Sequence, residues 1–372
     1  EVRGGTPRLV VLDDQSMWTV KEDDTVTQVT DTDFTGINNI VEGVVTLDGY
    51  VFVMNDCAEI FQSSVNDPET WDSTEFLTAS LGPDGGVALA RHLNYVVAFG
   101  DRTIQFFYNA ANSSGSVLSP VEGIDILYGC AAGKTVWSDE NSVMFVSQGR
   151  DGGKSVMMLS GNSVETVSTK PVERILDEEK NGIKDAYAYG IRIGGQVFYI
   201  LTLPTNQGKT LAYSTKEQAW WEITSDNGTS ESYFMGIDFA EANNKHYVLG
   251  ENDGKIYELD IDIYQDAGND INFELLTNKY DFSNNRVKFL HSLDIVGDSQ
   301  TNSSLITLDW SDDDHQTYSN PRTIDMTSSV HREHMLGSFI RRAFRHTANT
   351  PLRLEALEME VSLGGSSMSA FN

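Results

Sequence analysis

The chain has 372 residues, of which 40% are hydrophobic and 22% charged, a composition typical of a globular protein with two or three domains. It contains 55 acidic and 26 basic residues, so its formal net charge is −29. Tight binding to nucleic acid or to anionic membranes needs clustered lysine and arginine, and this balance argues against both. No apolar run approaches the roughly 20 residues of a transmembrane helix, so we expect no membrane insertion.

Pairs of short strands joined by Gly, Asn or Asp turns recur along the first 260 residues. The six pairs are Leu9–Leu12 with Ser16–Val20, Tyr50–Met54 with Ala58–Gln62, Tyr95–Phe99 with Thr103–Tyr108, Ser142–Ser147 with Lys154–Leu159, Gln196–Leu203 with Lys209–Ser214, and Lys245–Leu249 with Lys255–Leu259. Equivalent positions in successive pairs lie 41 to 54 residues apart, which is the size of a propeller blade. The spacing predicts an all-β fold with a β-propeller of about six blades over residues 1–265. A β-sandwich of similar length is the alternative, and the best helical candidate is the short segment Val172–Glu179.

A polar, turn-rich segment at 261–270 marks a boundary, and longer strands follow it. These are Phe273–Phe282, Val287–Val296, Ser304–Trp310, Phe339–Thr347 and Leu352–Ser362. In the last strand the apolar alternation slips between Ala356 and Leu357, as a β-bulge would produce. We predict a small β-sandwich over 270–362 and then a tail, 363–372, that is either flexible or docked on a neighbouring molecule.

Two segments fit a loose Asp-box pattern, the hairpin turn S-x-D-x-G-x-T-W. The residues that carry the pattern are Ser64, Asn66 and Trp71 in the first segment, and Ser311, Asp313, Thr317 and Tyr318 in the second. The side chain of Asn66 or Asp313 would accept backbone N–H groups, with the aromatic ring packed beneath the turn. Such turns in sialidase-like propellers lie away from the chemistry, so the predicted role is structural.

The densest basic cluster is the run from Arg341 to Arg345, which also holds Arg342. Strand alternation would place Arg341 and Arg345 on one face and Arg342 on the other. Two interpretations stay open. The cluster is an exposed strand face paired with the surplus carboxylates, or Arg341, Arg342 and Arg345 contact a neighbouring subunit.

No residue pattern predicts a catalytic, cofactor-binding or metal-binding site. Paired carboxylates are unavoidable among 55 acidic residues, and the nucleophile signature G-x-S-x-G is absent. His331, His334 and His346 lack the acidic or cysteine partner that completes a metal-ligand pattern. Cys57 and Cys130 could form one disulfide, although two buried thiols are favoured.

The chain resembles the packaged-DNA stabilisation proteins of P22-like short-tailed bacteriophages over most of its length and in the same order. The stretches that carry the resemblance are YVVAFGDRTIQFFYNAANSSG, GIDILYGCAAGKTVWSDENSVMFVSQGRDGGKSVMMLSGNSVETVSTKPVERIL, VEGVVTLDGYVFVMND, GQVFYILTLPTNQGKTLAYSTKEQAWWEIT, LDWSDDDHQTYSNPRTI and FIRRAFRHTANTPLRLEALEMEVS. The N-terminal portion is shorter than usual in that family, and an acidic run, LDEEKNGIKD, follows the middle motif. These departures bear on the neighbours of the protein more than on its fold.

The resemblance implies a structural virion protein without catalysis, a tail hub or nozzle that assembles as a homo-hexamer in the host cytoplasm. Its implied partners are the portal and head-to-tail adaptor above it and a tail needle, fibres or tailspikes around it. The ring would continue the DNA channel, help retain the packaged genome, and pass double-stranded DNA during ejection without tight binding. The alternative function is a sialidase-like glycan-processing or glycan-binding propeller.

Overall fold

A computed structural model divides the chain into two compact units. The first contains residues 1–225 and 232–259, and the second contains residues 226–231 and 260–372. The structure describes residues 7–124, 126–149, 152–226, 231–251, 253–260, 263, 265–271, 273–300, 304–348, 350 and 353–364.

The first unit consists of six antiparallel sheets that follow one another along the chain. The first sheet is β1 (Arg8–Asp13), β2 (Ser16–Lys21) and β3 (Val26–Gln28), and the second is β4 (Val45–Leu47), β5 (Tyr50–Met54), β6 (Glu59–Ser64) and β7 (Asp67–Thr78). The third is β8 (Gly86–His92), β9 (Tyr95–Gly100), β10 (Ile104–Asn109) and β11 (Leu118–Pro120). The fourth is β12 (Gly129–Cys130), β13 (Trp137–Ser138), β14 (Ser142–Gln148), β15 (Lys154–Ser160) and β16 (Ser163–Thr166). The fifth is β17 (Tyr187–Ile193), β18 (Gln196–Leu203), β19 (Lys209–Ser214), β20 (Ala219–Asp226) and β21 (Glu231–Tyr233), and the sixth is β22 (Gly236–Ala242), β23 (Lys245–Gly250) and β24 (Ile256–Leu259).

These six sheets confirm the predicted hairpins, each of which contributes two neighbouring strands to one sheet. Among the residues that the structure describes, helical structure is limited to short connectors: α1 (Thr32–Thr35), α2 (Lys170–Glu178) and two 3₁₀ turns at Gly133–Thr135 and Lys180–Asp185. The helix predicted at Val172–Glu179 is α2. Pro171 lies in its first turn, where the missing N–H costs nothing, and Val172 and Leu176 form its buried stripe.

Alternate residues of each central strand point to opposite faces of the sheet, and each face meets a different neighbour. In β5, Val51 and Val53 pack with Met17 of the first sheet, whereas Phe52 and Met54 pack with Leu89 and Val96 of the third sheet. The same alternation builds an apolar core between the third and fourth, fourth and fifth, and fifth and sixth sheets. Five such cores join the six sheets in series, which is the packing of propeller blades.

The second unit contains two four-stranded antiparallel sheets and a short hairpin. The hairpin is β25 (Gln265–Asp266) and β26 (Asn269–Asp270). One sheet has the order β27 (Phe273–Leu276), β33 (Ala343–Ala348), β29 (Leu305–Ser311) and β30 (Arg322–Asp325). In the other, β28 (Lys288–Gly297) pairs with β31 (Arg332–His334), β32 (Ser338–Phe339) and β34 (Leu354–Leu363). Leu293 and Ile295 of one sheet pack with Ile306, Leu308 and Phe344 of the other in a single core, which is the predicted β-sandwich.

The slip predicted between Ala356 and Leu357 is a bulge that lies one residue earlier in the strand, at Glu355. Val296 pairs with Ala356 and Gly297 pairs with Leu354, so that Glu355 has no partner residue in β28. The strand continues to Leu363, one residue into the predicted tail, and residues 365–372 of that tail lie outside the described residues. Strands β30 and β31 were not predicted, because neither has the apolar alternation that marks a strand in sequence.

Candidate functional site

A cavity of about 840 Å³ lies where the six sheets of the first unit meet. Each sheet contributes to its wall through its innermost strand or the residues beside that strand. Representative lining residues, one for each sheet in order, are Leu12, Gly43, Leu89, Lys134, Tyr189 and Ile237. This is the axial position of a propeller.

The charged residues of the axial cavity are mostly acidic. Asp13, Glu42 and Asp238 face it together with Lys134, which is the one cation among its described lining residues and whose Nζ lies 3.9 Å from Glu42 Oε1. A sphere of this volume is only about 12 Å across, no wider than the major groove alone of a DNA duplex, so the cavity is too small to hold a duplex. Any DNA channel would therefore have to lie outside the axis of a single propeller.

The second Asp-box-like segment forms a turn capped by Asp313. Its carboxylate accepts hydrogen bonds from the Thr317 N–H at 2.8 Å, the Thr317 hydroxyl at 2.5 Å and the Ser311 hydroxyl at 2.8 Å. These bonds hold the pKa of Asp313 down at about 2, with the Thr317 bonds the largest cause. The Tyr318 hydroxyl lies 2.9 Å from His315 Nδ1. A carboxylate engaged in this way is a turn cap and a poor general acid or base.

Arg342 lies beneath this turn and is almost completely buried. Its Nε donates to Asp312 Oδ1 and its Nη2 donates to Asp312 Oδ2, both at 2.7 Å. Nη1 and Nη2 also donate to the carbonyl oxygens of Leu336 and Ser338, respectively. The guanidinium also stacks on Trp310, 5.1 Å from the ring centroid. Because its side chain is buried and four of its N–H groups are bonded inside the unit, Arg342 is not available as an exposed contact.

The other two arginines of the cluster lie progressively nearer the surface. Arg345 pairs with Asp309 through Nε, at 3.0 Å from Oδ1, and its guanidinium lies 3.8 Å from the centroid of the Tyr318 ring. Arg341 is half exposed and reaches Asp314 at 3.7 Å. The structure thus brings the second turn and the arginine cluster, which are separate in sequence, into one arginine–turn cluster (residues 309–318 with Arg341, Arg342 and Arg345).

The first Asp-box-like segment has a different capping residue from the predicted one. Asp67, not Asn66, accepts the Thr70 hydroxyl at 2.9 Å and the Glu69 N–H at 3.2 Å. Asn66 instead occupies the left-handed position of the Ser64–Asp67 hairpin turn, with φ +58°, which asparagine tolerates better than most residues. Trp71 is buried, and its Nε1 donates to the Pro68 carbonyl oxygen at 2.9 Å.

Sequence reasoning missed the aromatic and acidic partners of the arginines. Asp309, Trp310 and Asp312 lie within the stretch LDWSDDDHQTYSNPRTI. Their position next to the turn is the sequence feature that could have identified them. Arg322 also contacts the Trp310 ring, at 5.3 Å from the ring centroid, and no feature of the sequence indicated that contact. Long-range pairing across β29, β30 and β33 brings these residues together.

The two cysteines are both free thiols. Cys130 is buried, and burial raises its pKa to about 12, so it is a poor nucleophile at neutral pH. Cys57 is exposed, contrary to the prediction, because it lies in the turn between β5 and β6, and the neighbouring Asp56 carboxylate raises its pKa. His346 is buried in the sandwich with neither ring nitrogen hydrogen-bonded.

Within the described ranges, no group of three His, Cys, Asp or Glu side chains is placed to share a metal ion. No helix among those same residues has the length and apolar character needed to cross a membrane.

Comparison with known proteins places the first unit in a phage protein family. A profile of the family described as Bacteriophage P22 Gp10, β-propeller, matches residues 3–264. The tail hub protein gp10 of Salmonella phage P22 is 23% identical over 194 residues, which are 50% of this chain and 40% of that protein. The match therefore spans less than half of the relative's length.

Several solved structures are also similar to the chain. The N-terminal domain of Nup159 has a TM-score of 0.38 and 9% identity, with 66% of this chain and 71% of that chain covered. The Neurospora crassa Pan2 WD40 domain has a TM-score of 0.37 and 10% identity, with 68% and 74% covered. The designed protein Ika8 has a TM-score of 0.31 and 12% identity, with 67% and 81% covered. Since the family profile covers residues 3–264, well over half of the sequence, this chain belongs to the P22 Gp10 family of phage β-propeller proteins.

Proposed function

We propose that the chain is a structural subunit of a phage tail hub that assembles as a homo-hexameric ring in the host cytoplasm. The ring lies below the portal and head-to-tail adaptor, continues the DNA channel and supports a needle, fibres or tailspikes. It helps retain the packaged genome and passes it during ejection, and it carries no catalysis. The observation that supports this most is the family match over residues 3–264 together with the tail hub relative.

The charge of the chain supports passage of DNA without tight binding. Residues 1–280 contain 18 basic and 43 acidic residues, so most of the net charge of −29 belongs to this part. Several of its cations form surface ion pairs, as in Lys209 with Glu222 and Lys245 with Glu258, each at 2.8 Å. Cations paired in this way have little left to offer a phosphate backbone.

Six copies would carry a formal charge of −174, six times −29. DNA carries one negative charge for about every 1.7 Å of duplex axis. An acidic wall within the screening length of about 8 Å repels the duplex and keeps it away from the wall. Retention of the genome then depends on a plug or constriction, and release is not slowed by contacts to phosphates.

The second unit is our candidate for the contact between subunits, because residues 281–372 contain 8 basic and 12 acidic residues and repel a neighbour less than the first unit does. Arg341 is the exposed member of the arginine–turn cluster and is the arginine we assign to that contact. Arg341→Glu should weaken the ring. The control is Arg353→Glu, at a side chain that is more exposed and also paired with carboxylates. Equal effects of the two substitutions would remove the assignment.

The glycan-processing alternative requires arginines that converge on one substrate carboxylate, next to a Tyr–Glu pair. Arg91 donates to the carbonyl oxygens of Leu93 and Thr46, and Arg192 pairs with Asp139. Arg174 lies 3.7 Å from Glu178. These contacts occupy three arginines of the first unit, and a fourth arginine, Arg150, lies outside the described residues.

Electron microscopy and mass photometry of the purified full chain test the proposal. The expected result is a six-copy ring with a central hole wide enough for a duplex, and no measurable retention of a short DNA duplex in about 0.15 M salt. A monomer that binds an oligosaccharide in the axial cavity would overturn it in favour of the glycan alternative.

A further inference from the structure

A surface pocket of about 620 Å³ lies at one end of the third sheet, where β9 begins and β10 ends. We call it the third-sheet pocket. Its lining includes Asp48 from the β4–β5 turn of the second sheet, and Leu93, Asn94, Tyr95, Tyr108 and Asn109 from the third sheet. Its described lining residues all differ from those of the axial cavity, so the two are separate. The volume lies within the range of small-molecule sites, about 300–1,000 Å³.

Polar links between the second and third sheets fix the shape of this pocket. Asn109 Nδ2 donates to Asp48 Oδ2 at 3.0 Å, and Asn109 Oδ1 accepts a backbone N–H two residues further along the chain. Arg91 donates from Nε to the carbonyl oxygen of Leu93 at 3.1 Å and from Nη1 to that of Thr46 at 3.2 Å. The carboxylate of Asp48 is therefore held in place by one oxygen, while its exposed Oδ1 accepts no hydrogen bond from the described part of the chain.

Two tyrosines add aromatic surface to the pocket. Val96 pairs with Phe107, so Tyr95 and Tyr108, the next residues outward on their strands, point to the same face of the sheet. Tyr95 packs edge-to-face with Phe106, with the ring centroids 5.9 Å apart, and Tyr108 is 43% exposed. A tyrosine ring provides an apolar face for stacking and a hydroxyl group at its end. Apolar rings and hydrogen-bonding groups thus line the same pocket.

The lining of the third-sheet pocket disfavours several classes of ligand. Its described lining residues include the carboxylate of Asp48 and no lysine or arginine, so a phosphate or another anion would be repelled. One carboxylate, without histidine or cysteine among those residues, is too small a ligand set for a metal ion. An extended peptide would need a free strand edge for main-chain pairing, and both β9 and β10 are central strands that are paired on both sides.

We infer that the third-sheet pocket binds a neutral saccharide. Sugar hydroxyl groups both donate and accept hydrogen bonds, which matches the Asp48 carboxylate and the Asn94 amide. The C–H face of a sugar ring stacks on Tyr108. The volume suits a short saccharide, either free or at the end of a glycan chain. This binding goes beyond the tail hub proposal, does not depend on it and involves no catalysis. It is also distinct from the glycan-processing alternative, which would bind its substrate in the axial cavity.

A glycan array tests this inference with the full chain, labelled with a dye at the exposed thiol of Cys57, which lies at the opposite end of β5 from Asp48. We expect retention on neutral glycans, weaker retention on sialylated and sulfated ones, and release by the same neutral glycan added in solution. Tyr108→Ala should weaken retention about tenfold, because it removes the stacking surface. Tyr128→Ala is the matched control and should leave retention unchanged, since Tyr128 is 44% exposed and does not line the pocket.

Failure to retain any neutral glycan, or equal losses for Tyr108→Ala and Tyr128→Ala, would overturn the inference. Hydrogen exchange of the unmodified protein needs no substitution: the retained glycan should slow exchange at the β8–β9 turn and the end of β10. Slowed exchange around the axial cavity instead would contradict the assignment. Mass photometry should give Tyr108→Ala the same copy number as the unmodified protein, whatever that number is. A changed copy number would mean that a neighbouring chain, not a saccharide, fills the pocket.

Discussion

Asp312 and Arg342 form a two-point ion pair in the second unit, with Nε to Oδ1 and Nη2 to Oδ2 both 2.7 Å apart. The guanidinium is buried and the carboxylate is half exposed. The pair therefore ties the Asp-box-like turn to the loop that precedes β33, and it neutralises a charge that the interior would otherwise hold alone.

Asp312→Asn should destabilise the second unit by about 2–3 kcal/mol, because a buried guanidinium loses its counter-charge while water still reaches the position of the carboxylate. The loss is measured by urea unfolding, monitored by tryptophan fluorescence or by hydrogen exchange at Trp310. Asp314→Asn is the matched control in the same turn, since Asp314 pairs at the surface with Lys279 and Arg341 and should cost less than about 1 kcal/mol. Similar losses for the two variants would show that burial of Arg342 does not set the strength of the pair.

His346 should make the second unit less stable in acid. Burial is the main cause that lowers its pKa to about 4, from an ordinary value of 6.5, so the unfolded chain takes up the proton first as the pH falls. The contribution of His346 to the free energy of unfolding is constant above about pH 6.5. It decreases by at most about 3 kcal/mol as the pH falls from there through about pH 4.

The measurement compares the unfolding free energy of the unmodified protein and of His346→Leu at pH 7.5 and pH 5. The leucine variant should lose less stability between the two values. His334→Gln, at an exposed histidine of β31, serves as control and should keep the slope of the unmodified protein. If the leucine variant lost as much stability between pH 7.5 and pH 5 as the unmodified protein, His346 would not be the source of the pH dependence.

In the first Asp-box-like turn, the neighbouring residues Asn66 and Asp67 have different roles. Asp67→Ala should cost about 1 kcal/mol, since it removes the acceptor for Thr70 and Glu69. Asn66→Gly should be nearly neutral, because glycine adopts the positive φ of this position without strain. Thermal unfolding of the two variants distinguishes them, and a larger loss for Asn66→Gly would restore Asn66 as the capping residue.

Most of the fold could be predicted because propeller blades are local. The hairpin of Tyr95–Gly100 and Ile104–Asn109, like the other five, pairs residues only a few positions apart, so alternation and turn chemistry determine it. Strand β28 could be predicted as a strand but its partners could not, since β34 pairs with it from more than fifty residues away. The spacing of residues in the sequence does not determine the pairing register of two strands that are so far apart.

The candidate site could be predicted only in part. The capping role of Asp313 follows from the motif, because Ser311 and Thr317 lie within the same turn. The burial of Arg342 does not follow, since alternation breaks at the short gap between β32 and β33 and the aromatic platform under the guanidinium comes from β29. The sequence alone does not indicate that Arg342 is buried, because it does not show which carboxylate and which aromatic ring contact the guanidinium.

The domain limits, a propeller over 1–265 and a sandwich over 270–362, remain a prediction. Brief digestion with thermolysin should cut the native chain first between residues 260 and 272 and release two resistant fragments. Mass spectrometry of the fragments gives the cut site. A first cut inside the β8–β9 or β14–β15 hairpins would contradict these limits.

The number of copies in the purified assembly tests the central claim most directly. Mass photometry should give one dominant species of six chains, about six times 41.2 kDa, and class averages should show a closed ring with an open centre. A single-chain mass at all concentrations tested, with no ring in the images, would contradict the proposed tail hub.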